Sequence, residues 1–311
     1  MSSLTDLLHF GPSPLQPLPL ASAAQRQIQL WIKRDDLLGP TPNDPFCGNK
    51  WRKLQYTLLE VFSADPHPSV LSFGGPYSNH IAALASAGRH LGFPTIGIIR
   101  GEEVDNPTLA RARADGMALH FVDRTTYRRK HEASFQDELR QRFGPDLVII
   151  PEGGSNERAL LGCAELAKEL LHQMPEPPTH VFVACGTGGT LAGLALGLAG
   201  VPTQLIGISV LKGNFLTAEV RTLLASVSQP DPANWQILTN YHHGGYAKRS
   251  TELIDFIYRF ERRFRIRLDP IYTGKLAWAL EALITQGYFP TDSRIVFLHT
   301  GGLQGAQDLW A

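Results

Sequence analysis

Along most of this chain, short and nearly all-apolar runs alternate with longer segments whose apolar residues recur every three to four positions. Residues 70–73, 95–99, 119–122 and 147–150 read as strands, and the segments 80–91, 107–115 and 135–143 between them read as helices. Strands this short and apolar, separated by helices, predict a parallel sheet covered on both faces. The block from about Lys53 to Gly154 is therefore one open α/β unit. A second unit begins with a helix over 157–171. It continues through a strand at 181–184, a helix at 191–198, and strands at 205–210 and 295–299. The prolines of 174–178 fall between helix and strand inside that unit and do not mark a linker. The expected fold is α/β, with two open, twisted parallel-sheet domains carrying helices on both faces. Residues 53–156 form the smaller domain, and residues 1–52 with 157–311 the larger.

Ligands of open α/β sheets lie beyond the carboxyl ends of the strands, where polar, glycine-rich runs follow Phe73, Ala184 and His299. Gly186-Thr187-Gly188-Gly189-Thr190 joins a strand to a helix. Glycines let backbone N–H groups close around an anion, and the helix N-terminus adds a favourable dipole. The run lacks the Gly-Lys-Ser/Thr ending of a nucleoside-triphosphate loop, and Leu191 stands where a dinucleotide loop needs its third glycine. A strand–helix turn without a ligand is the plain alternative. Lys50, in Gly48-Asn49-Lys50, precedes a helix whose Leu54, Leu58 and Leu59 face a core. Desolvation at such an edge lowers a lysine's pKa and frees its amine. Periodicity leaves Lys33, Lys212, Lys248 and Lys275 as rivals. One buried amine and one phosphate cradle are what pyridoxal phosphate requires, because it joins its enzyme as a Schiff base and is held by its phosphate.

Three shorter runs add candidates. Ser72-Phe73-Gly74-Gly75-Pro76-Tyr77-Ser78-Asn79-His80 ends a strand and opens a helix. Ser78 and Asn79 suit a helix N-cap, and the same N–H groups and side chains suit a substrate carboxylate. Tyr272, in Asp269-Pro270-Ile271-Tyr272-Thr273-Gly274-Lys275, sits in a turn before a helix over 276–284, where a tyrosine is ordinarily a packing residue. His299-Thr300-Gly301-Gly302 ends a strand and offers the Thr300 hydroxyl to a ligand.

These runs, in this order, resemble the D-cysteine desulfhydrase and 1-aminocyclopropane-1-carboxylate deaminase group of the tryptophan-synthase-β-like, fold type II pyridoxal phosphate enzymes. The resemblance extends from Trp31-Ile32-Lys33-Arg34-Asp35-Asp36 to His299-Thr300-Gly301-Gly302, with Gly48-Asn49-Lys50 and Ser78-Asn79-His80 its specific part. It implies a cofactor in the cleft between the domains, bound by the larger one, with Lys50 as the Schiff-base residue. Asn79 would hold the cofactor's phenolic oxygen, Gly186, Thr187, Gly188, Gly189 and Thr190 its phosphate with help from Lys53, and Thr300 its pyridine nitrogen. Ser78, Asn79 and His80 would receive the substrate carboxylate. Tyr272, and Tyr246 in His243-Gly244-Gly245-Tyr246, would lie near the reacting carbon. The implied reaction is β-elimination on a small amino acid, D-cysteine giving pyruvate, ammonia and sulfide, with the Lys50 amine as base.

Two departures bear on the substrate. The deaminases carry a glutamate where this chain has Thr273, as the desulfhydrases do, so a neutral hydroxyl is expected where a carboxylate would strengthen the electron sink. Tyr77 replaces a glutamine expected before Ser78 in both subgroups and reshapes the substrate pocket. Deamination of the cyclopropane amino acid is the runner-up, followed by racemisation or β-replacement. Outside catalysis stand a protein that merely binds pyridoxal phosphate and a nucleotide-phosphate binder.

Composition narrows the setting. Lys plus Arg and Asp plus Glu each number 29 in the 311 residues, which gives no excess charge for nucleic acid or an anionic membrane. The basic clusters at 124–131 and 259–267 read as solvated helix surface. Met1 to Pro19 shows no signal peptide, the longest apolar stretch is too short to span a bilayer, and no metal site is indicated. Three scattered cysteines, Cys47, Cys163 and Cys185, suit a reducing cytosol. The expectation is a cytoplasmic enzyme, and by resemblance a homodimer.

Overall fold

The computed structural model describes residues 10–41, 44–227, 230–303, 306 and 309; the start of the segment read for a signal peptide, residues 1–9, lies outside them. In chain order the first elements are β1 (Leu15–Pro17), α1 (Ala21–Gln25), β2 (Gln29–Arg34), α2 (Asn49–Ser63), β3 (Val70–Gly74), α3 (Asn79–Leu91) and β4 (Thr95–Arg100). Next come α4 (Pro107–Ala114), β5 (Ala118–Val122), α5 (Arg124–Arg128), α6 (Ala133–Phe143), β6 (Val148–Ile150) and α7 (Glu157–Gln173). The chain continues through β7 (His180–Cys185), α8 (Gly189–Gly197), β8 (Gln204–Ser209), α9 (Leu216–Ser226) and β9 (Trp235–Leu238). It closes with α10 (Thr251–Phe264), α11 (Thr273–Thr285) and β10 (Arg294–His299).

Two sheets organise these elements. One runs β5-β4-β3-β6 and is parallel throughout. The other runs β1-β2-β10-β7-β8-β9. It is parallel except at its edge, where β1 pairs antiparallel with β2 in the register Leu15 to Lys33. The apolar alternation did not mark β1, β2 or β9. β1 is three residues long and ends in Pro17, and an edge strand tolerates the loss of the N–H that proline lacks. Central strands match the expected pattern: every residue of β3 and all but the first of β7 and β8 are buried.

The helices that open onto the carboxyl ends of these strands are set by local chemistry. Ser78 caps α3, its Oγ accepting from the Ile81 N–H at 3.3 Å, and Asn156 caps α7 by accepting from Ala159 N–H at 2.9 Å. α8 is apolar nearly all round and buried to match, filling the space between β7 and α7. The expected boundary between residues 52 and 53 falls inside α2. That helix packs on α7 so closely that a Cβ at Gly162 would overlap the Arg52 carbonyl. One face of α2 enters a core with Leu54, Leu58 and Val61. Its Arg52 turns to a buried ion cluster with Asp35 and Glu169. Its first turn carries Asn49, Lys50 and Lys53 toward a cleft.

Candidate active site

The starts of α2, α3 and α8, the end of β10 and the turn before α11 converge on one cavity of about 1090 Å³. Of the residues nominated from the sequence, Lys50 and Lys53, Tyr77 to His80, Gly186 to Thr190, Tyr246, Tyr272 and Thr300 line it.

Lys50 is fixed through its neighbour. The Asn49 N–H donates to the Thr300 carbonyl at 3.2 Å, tying the start of α2 to the end of β10. The Asn49 side chain donates to Thr190 Oγ1 at 3.1 Å. The Lys50 Nζ lies 3.4 Å from Asn49 Oδ1. Burial first, and the charge of Lys53 second, bring the Lys50 amine down to about 7. Near neutrality a large fraction is then the free base that attacks a carbonyl. The rival lysines do not line the cavity. Lys33 Nζ donates to the Ser13 carbonyl, Glu169 and Gln173, and Lys275 Nζ to the Gly245 carbonyl at 2.8 Å. Lys212 and Lys248 pack beside Gly245 and Gly244.

The glycine-rich loop faces a second polar cluster. Lys53 Nζ donates to the Gly153 carbonyl and to Ser155 Oγ, both at 3.0 Å, and lies 3.4 Å from Thr187 Oγ1. The Ser155 and Thr187 hydroxyls are 2.7 Å apart. A Cβ at Gly189 would stand 2.6 Å from Ser155 Oγ and 3.1 Å from Lys53 Nζ, so only glycine leaves room there. Burial lowers the pKa of Lys53, and an anion beside it would restore the charge. A helix N-terminus, two hydroxyls and an ammonium directed at one bare spot suit a phosphate group. Asn79 supplies a further test of fit: its Oδ1 is buried without a hydrogen-bond partner among the described residues. An amine, an anion cradle and an orphaned amide on one cavity fit pyridoxal phosphate.

Several nominated residues stand differently from expectation. The His80 ring is wholly buried, its Nε2 2.8 Å from Ser72 Oγ, and burial keeps it neutral well below the ordinary histidine range. It has no charge to offer a carboxylate; the first-turn N–H groups of α3 and the Ser78 hydroxyl remain for that task. Thr273 does not line the cavity. It is fully buried, and its Oγ1 donates to Asp269 Oδ2 at 2.7 Å and accepts from the Asp269 N–H at 2.9 Å. Asp269 also accepts from the N–H groups of Ile271, Tyr272 and Thr273 and thereby shapes the turn that presents Tyr272. The expected neutral hydroxyl is thus turned away from the cleft. Tyr77 lines the mouth with 53% of its surface exposed. Tyr246 and Tyr272 meet edge to face, their ring centres 6.2 Å apart. Burial raises both phenols, Tyr272 well above its usual value, so both keep their protons.

Sequence reasoning missed Ser155, Arg100, Lys130 and Glu152, which also line the cavity. Gly153-Gly154-Ser155 follows β6 as the other runs follow their strands, so the strand-end rule could have found it. Lys130 was read as solvated helix surface. Instead its Nζ sits over the Tyr127 ring at 5.1 Å and 3.6 Å from Glu152, because the helix ends at Arg128 and the chain turns inward. The basic residues at the end of α10 are exposed as expected.

A lysine at the head of a cleft between parallel sheets, facing a glycine-lined anion cradle, defines a fold type II pyridoxal phosphate enzyme. The family model of pyridoxal-phosphate dependent enzymes matches residues 7–301, and the chain belongs to that family. The bifunctional D-cysteine desulfhydrase/1-aminocyclopropane-1-carboxylate deaminase of Arabidopsis thaliana is 31% identical over 90% of this chain and 74% of its own length. The D-cysteine desulfhydrase of Klebsiella pneumoniae subsp. pneumoniae is 30% identical over 94% and 92%. A crystal structure of a 1-aminocyclopropane-1-carboxylate deaminase homologue superposes with a TM-score of 0.80 at 28% identity, covering 96% of this chain and 93% of that one. Threonine deaminase isoform 2 of Solanum lycopersicum, with a TM-score of 0.65 at 16% identity over 96% and 82% of the two chains, shares the fold.

Proposed function

We propose that this pyridoxal-phosphate-dependent lyase removes a β substituent from a small amino acid, D-cysteine or a related D-amino acid, releasing pyruvate, ammonia and, from D-cysteine, sulfide. When bound, pyridoxal phosphate supplies a carbonyl for the substrate amine and an electron-withdrawing ring that acidifies the Cα–H. Lys50 holds the cofactor and, once freed by the substrate amine, takes the Cα proton as general base. The loop from Gly186 to Thr190, with Lys53 and Ser155, binds the phosphate. Asn79 binds the phenolic oxygen and Thr300 the ring nitrogen. The free N–H groups at the start of α3, with Ser78, receive the substrate carboxylate. Tyr272 packs edge to face on Tyr246, and the Tyr246 hydroxyl, kept neutral by its raised pKa, protonates the departing group.

The observation that carries the choice of reaction is that Thr300 lines the cleft with a neutral hydroxyl, while Asp36, the carboxylate beside His299, lies outside the lining and is paired with Arg34. The carboxylates that line the cavity, Glu152 and Glu219, come from the loop after β6 and from α9, and Thr273 faces away. A ring nitrogen beside a neutral hydroxyl gives a weaker electron sink, sufficient to expel a β leaving group and poorly suited to opening a cyclopropane. The test is to assay both compounds. Sulfide and pyruvate should form from D-cysteine and little 2-oxobutanoate from 1-aminocyclopropane-1-carboxylate; rapid turnover of the cyclopropane would reverse the assignment. If neither turns over until Tyr77→Gln is made, the natural substrate lies elsewhere.

The reading extends to organisation. The four-stranded unit is the smaller domain, the cofactor lies between the two sheets, and the enzyme is a cytoplasmic homodimer. Cys47, Cys163 and Cys185 are all buried free thiols, which suits a reducing compartment. No helix among the described residues is long and apolar enough to cross a membrane. Sedimentation at micromolar concentration tests the dimer.

A further inference from the structure

Lys275 is a fully buried amine that the reaction as described leaves unused. It stands in the first turn of α11, just past Tyr272, and among the described residues its Nζ makes one hydrogen bond, to the Gly245 carbonyl at 2.8 Å. The carboxylate whose charge reaches it, Asp269, is occupied by the Thr273 hydroxyl and the N–H groups of Ile271, Tyr272 and Thr273. Burying an amine costs free energy that a hydrocarbon of the same length would not. The bond to Gly245 is what distinguishes the two in this structure.

That bond falls on a loop without regular structure, residues 239–250 between β9 and α10, which carries Tyr246 into the cavity lining. The backbone around Tyr246 is strained: His243 and Ala247 have φ of +47° and +55°, and Gly244 and Gly245 of +92° and +111°. A residue other than glycine keeps such a conformation only where surrounding contacts impose it. Within the loop, the Gly245 N–H donates to the His242 carbonyl, the Lys248 N–H donates to the Gly245 carbonyl, and His243 Nδ1 lies 2.9 Å from Ser250 Oγ. From outside the loop, α11 supplies two anchors. Lys275 grips Gly245 and, one turn on, the Trp278 ring stands 4.5 Å from that of His243. The planar peptide unit that holds the Gly245 carbonyl also holds the N and Cα of Tyr246. Lys275 therefore acts on the plane from which the Tyr246 side chain departs, and that side chain meets Tyr272 at the head of the same helix.

We propose that Lys275 is the positioning residue for Tyr246: its bond to the Gly245 carbonyl fixes the peptide plane that aims the Tyr246 phenol into the cleft. The proposal rests on the reading of Tyr246 as the group that protonates the departing atom. When sulfide leaves D-cysteine, the Cβ–S bond breaks, the phenol proton passes to sulfur and solvent reprotonates the phenolate. Chloride leaving 3-chloro-D-alanine needs no proton. Displacing a catalytic group by about 1 Å costs up to about a hundredfold in rate, so the grip on Gly245 bears on the first reaction and not on the second.

Lys275→Met keeps an unbranched buried chain and removes the donor. In the holoenzyme it should lower kcat on D-cysteine by about tenfold at unchanged KM, and leave kcat on 3-chloro-D-alanine within about twofold. Tyr246→Phe should lower kcat on D-cysteine by about a hundredfold, and adding Lys275→Met to it should cost nothing further. A lysine that served folding alone would slow both reactions alike and add its loss to that of Tyr246→Phe. Either result would overturn the proposal, as would a Lys275→Met enzyme unimpaired on D-cysteine. Hydrogen exchange read by mass spectrometry follows the loop directly. Peptides covering 240–250 should be protected in the wild type and exchange about tenfold faster in Lys275→Met. An unprotected loop in the wild type would overturn the proposal even if neither variant folds, and full turnover of D-cysteine by Tyr246→Phe would overturn it at its premise. A wild type inert toward both compounds would count against the proposed function, while the exchange comparison still decides whether Lys275 holds the loop.

Discussion

Arg52 stands between Lys50 and Lys53 on α2 but faces the opposite way, and its replacement by methionine is the sharpest test of how the cleft is held. Its guanidinium reaches both oxygens of Asp35, at 2.7 and 2.8 Å, and both of Glu169, at 2.8 and 2.9 Å. Asp35 is fully buried. Arg52→Met preserves bulk and removes the charge, leaving Asp35 with Ser13 Oγ at 2.6 Å and Glu169 with Lys33 Nζ at 2.6 Å. Stripping one partner from a buried pair costs about 3–5 kcal/mol. Glu169 keeps a partner and is 18% exposed on its side chain, so the lower figure applies, about 3 kcal/mol. At about 2 °C per kcal/mol for a chain of this size, the melting temperature should fall by about 6 °C. Thermal and urea unfolding followed by circular dichroism measure the difference.

The pH dependence has a definite sign. Burial pushes the Asp35 carboxyl up, but the charge and hydrogen bonds of Arg52, aided by Ser13, outweigh it and hold the group below its ordinary range. A carboxyl depressed on folding contributes stability above its unfolded pKa and loses it as the pH falls. The wild type should therefore lead the variant fully near neutrality, and the gap should narrow below about pH 4. A loss under about 1 kcal/mol, the range of an exposed pair, or a gap that widens in acid, would refute the account of a buried anchor.

Four further outcomes follow from the geometry. Because the Lys50 amine lies at about 7, the rate at which cofactor-free protein recombines with pyridoxal phosphate should rise as the pH passes upward through that value; Lys50→Ala should retain no cofactor after borohydride treatment. Gly189→Ala should fold and bind the cofactor at least about tenfold more weakly in a spectral titration, since its Cβ would press on Ser155 and Lys53. Gly188→Ala should instead lower stability by about 1–3 kcal/mol in thermal melts, because that position has φ +77° and a Cβ there would overlap Val220. Thr273→Val should cost about 1–3 kcal/mol in thermal melts by removing both hydroxyl bonds to Asp269, whereas Thr300→Val should lower kcat and spare stability.

What the sequence determined was the set of parts. Apolar runs fixed the inner strands other than β2, whose run ends in Lys33-Arg34, because a strand buried on both faces has no polar alternation to blur it, and the strand-end rule then led to the glycine loop, Ser78-Asn79 and Thr300. Edge strands β1 and β9 escaped, being short with no fully buried residue, while Ser155 was missed although the strand-end rule covers its run. Among the lysines periodicity left rivals open and the family resemblance pointed to Lys50; the tertiary structure adds that Lys33 and Lys275, though fully buried, are each spent on carbonyl or carboxylate partners. It also reassigned two neighbours that motif reading had treated as exposed to the ligand. Thr273 belongs to Asp269 and the His80 ring to Ser72, since a hydrogen-bonding group takes the nearest buried partner whatever its place in a motif. Residue types and spacing carry the chemistry a chain can perform; which polar atoms remain free to perform it depends on contacts between segments far apart in sequence, and those exist only once the two sheets have closed around the cleft.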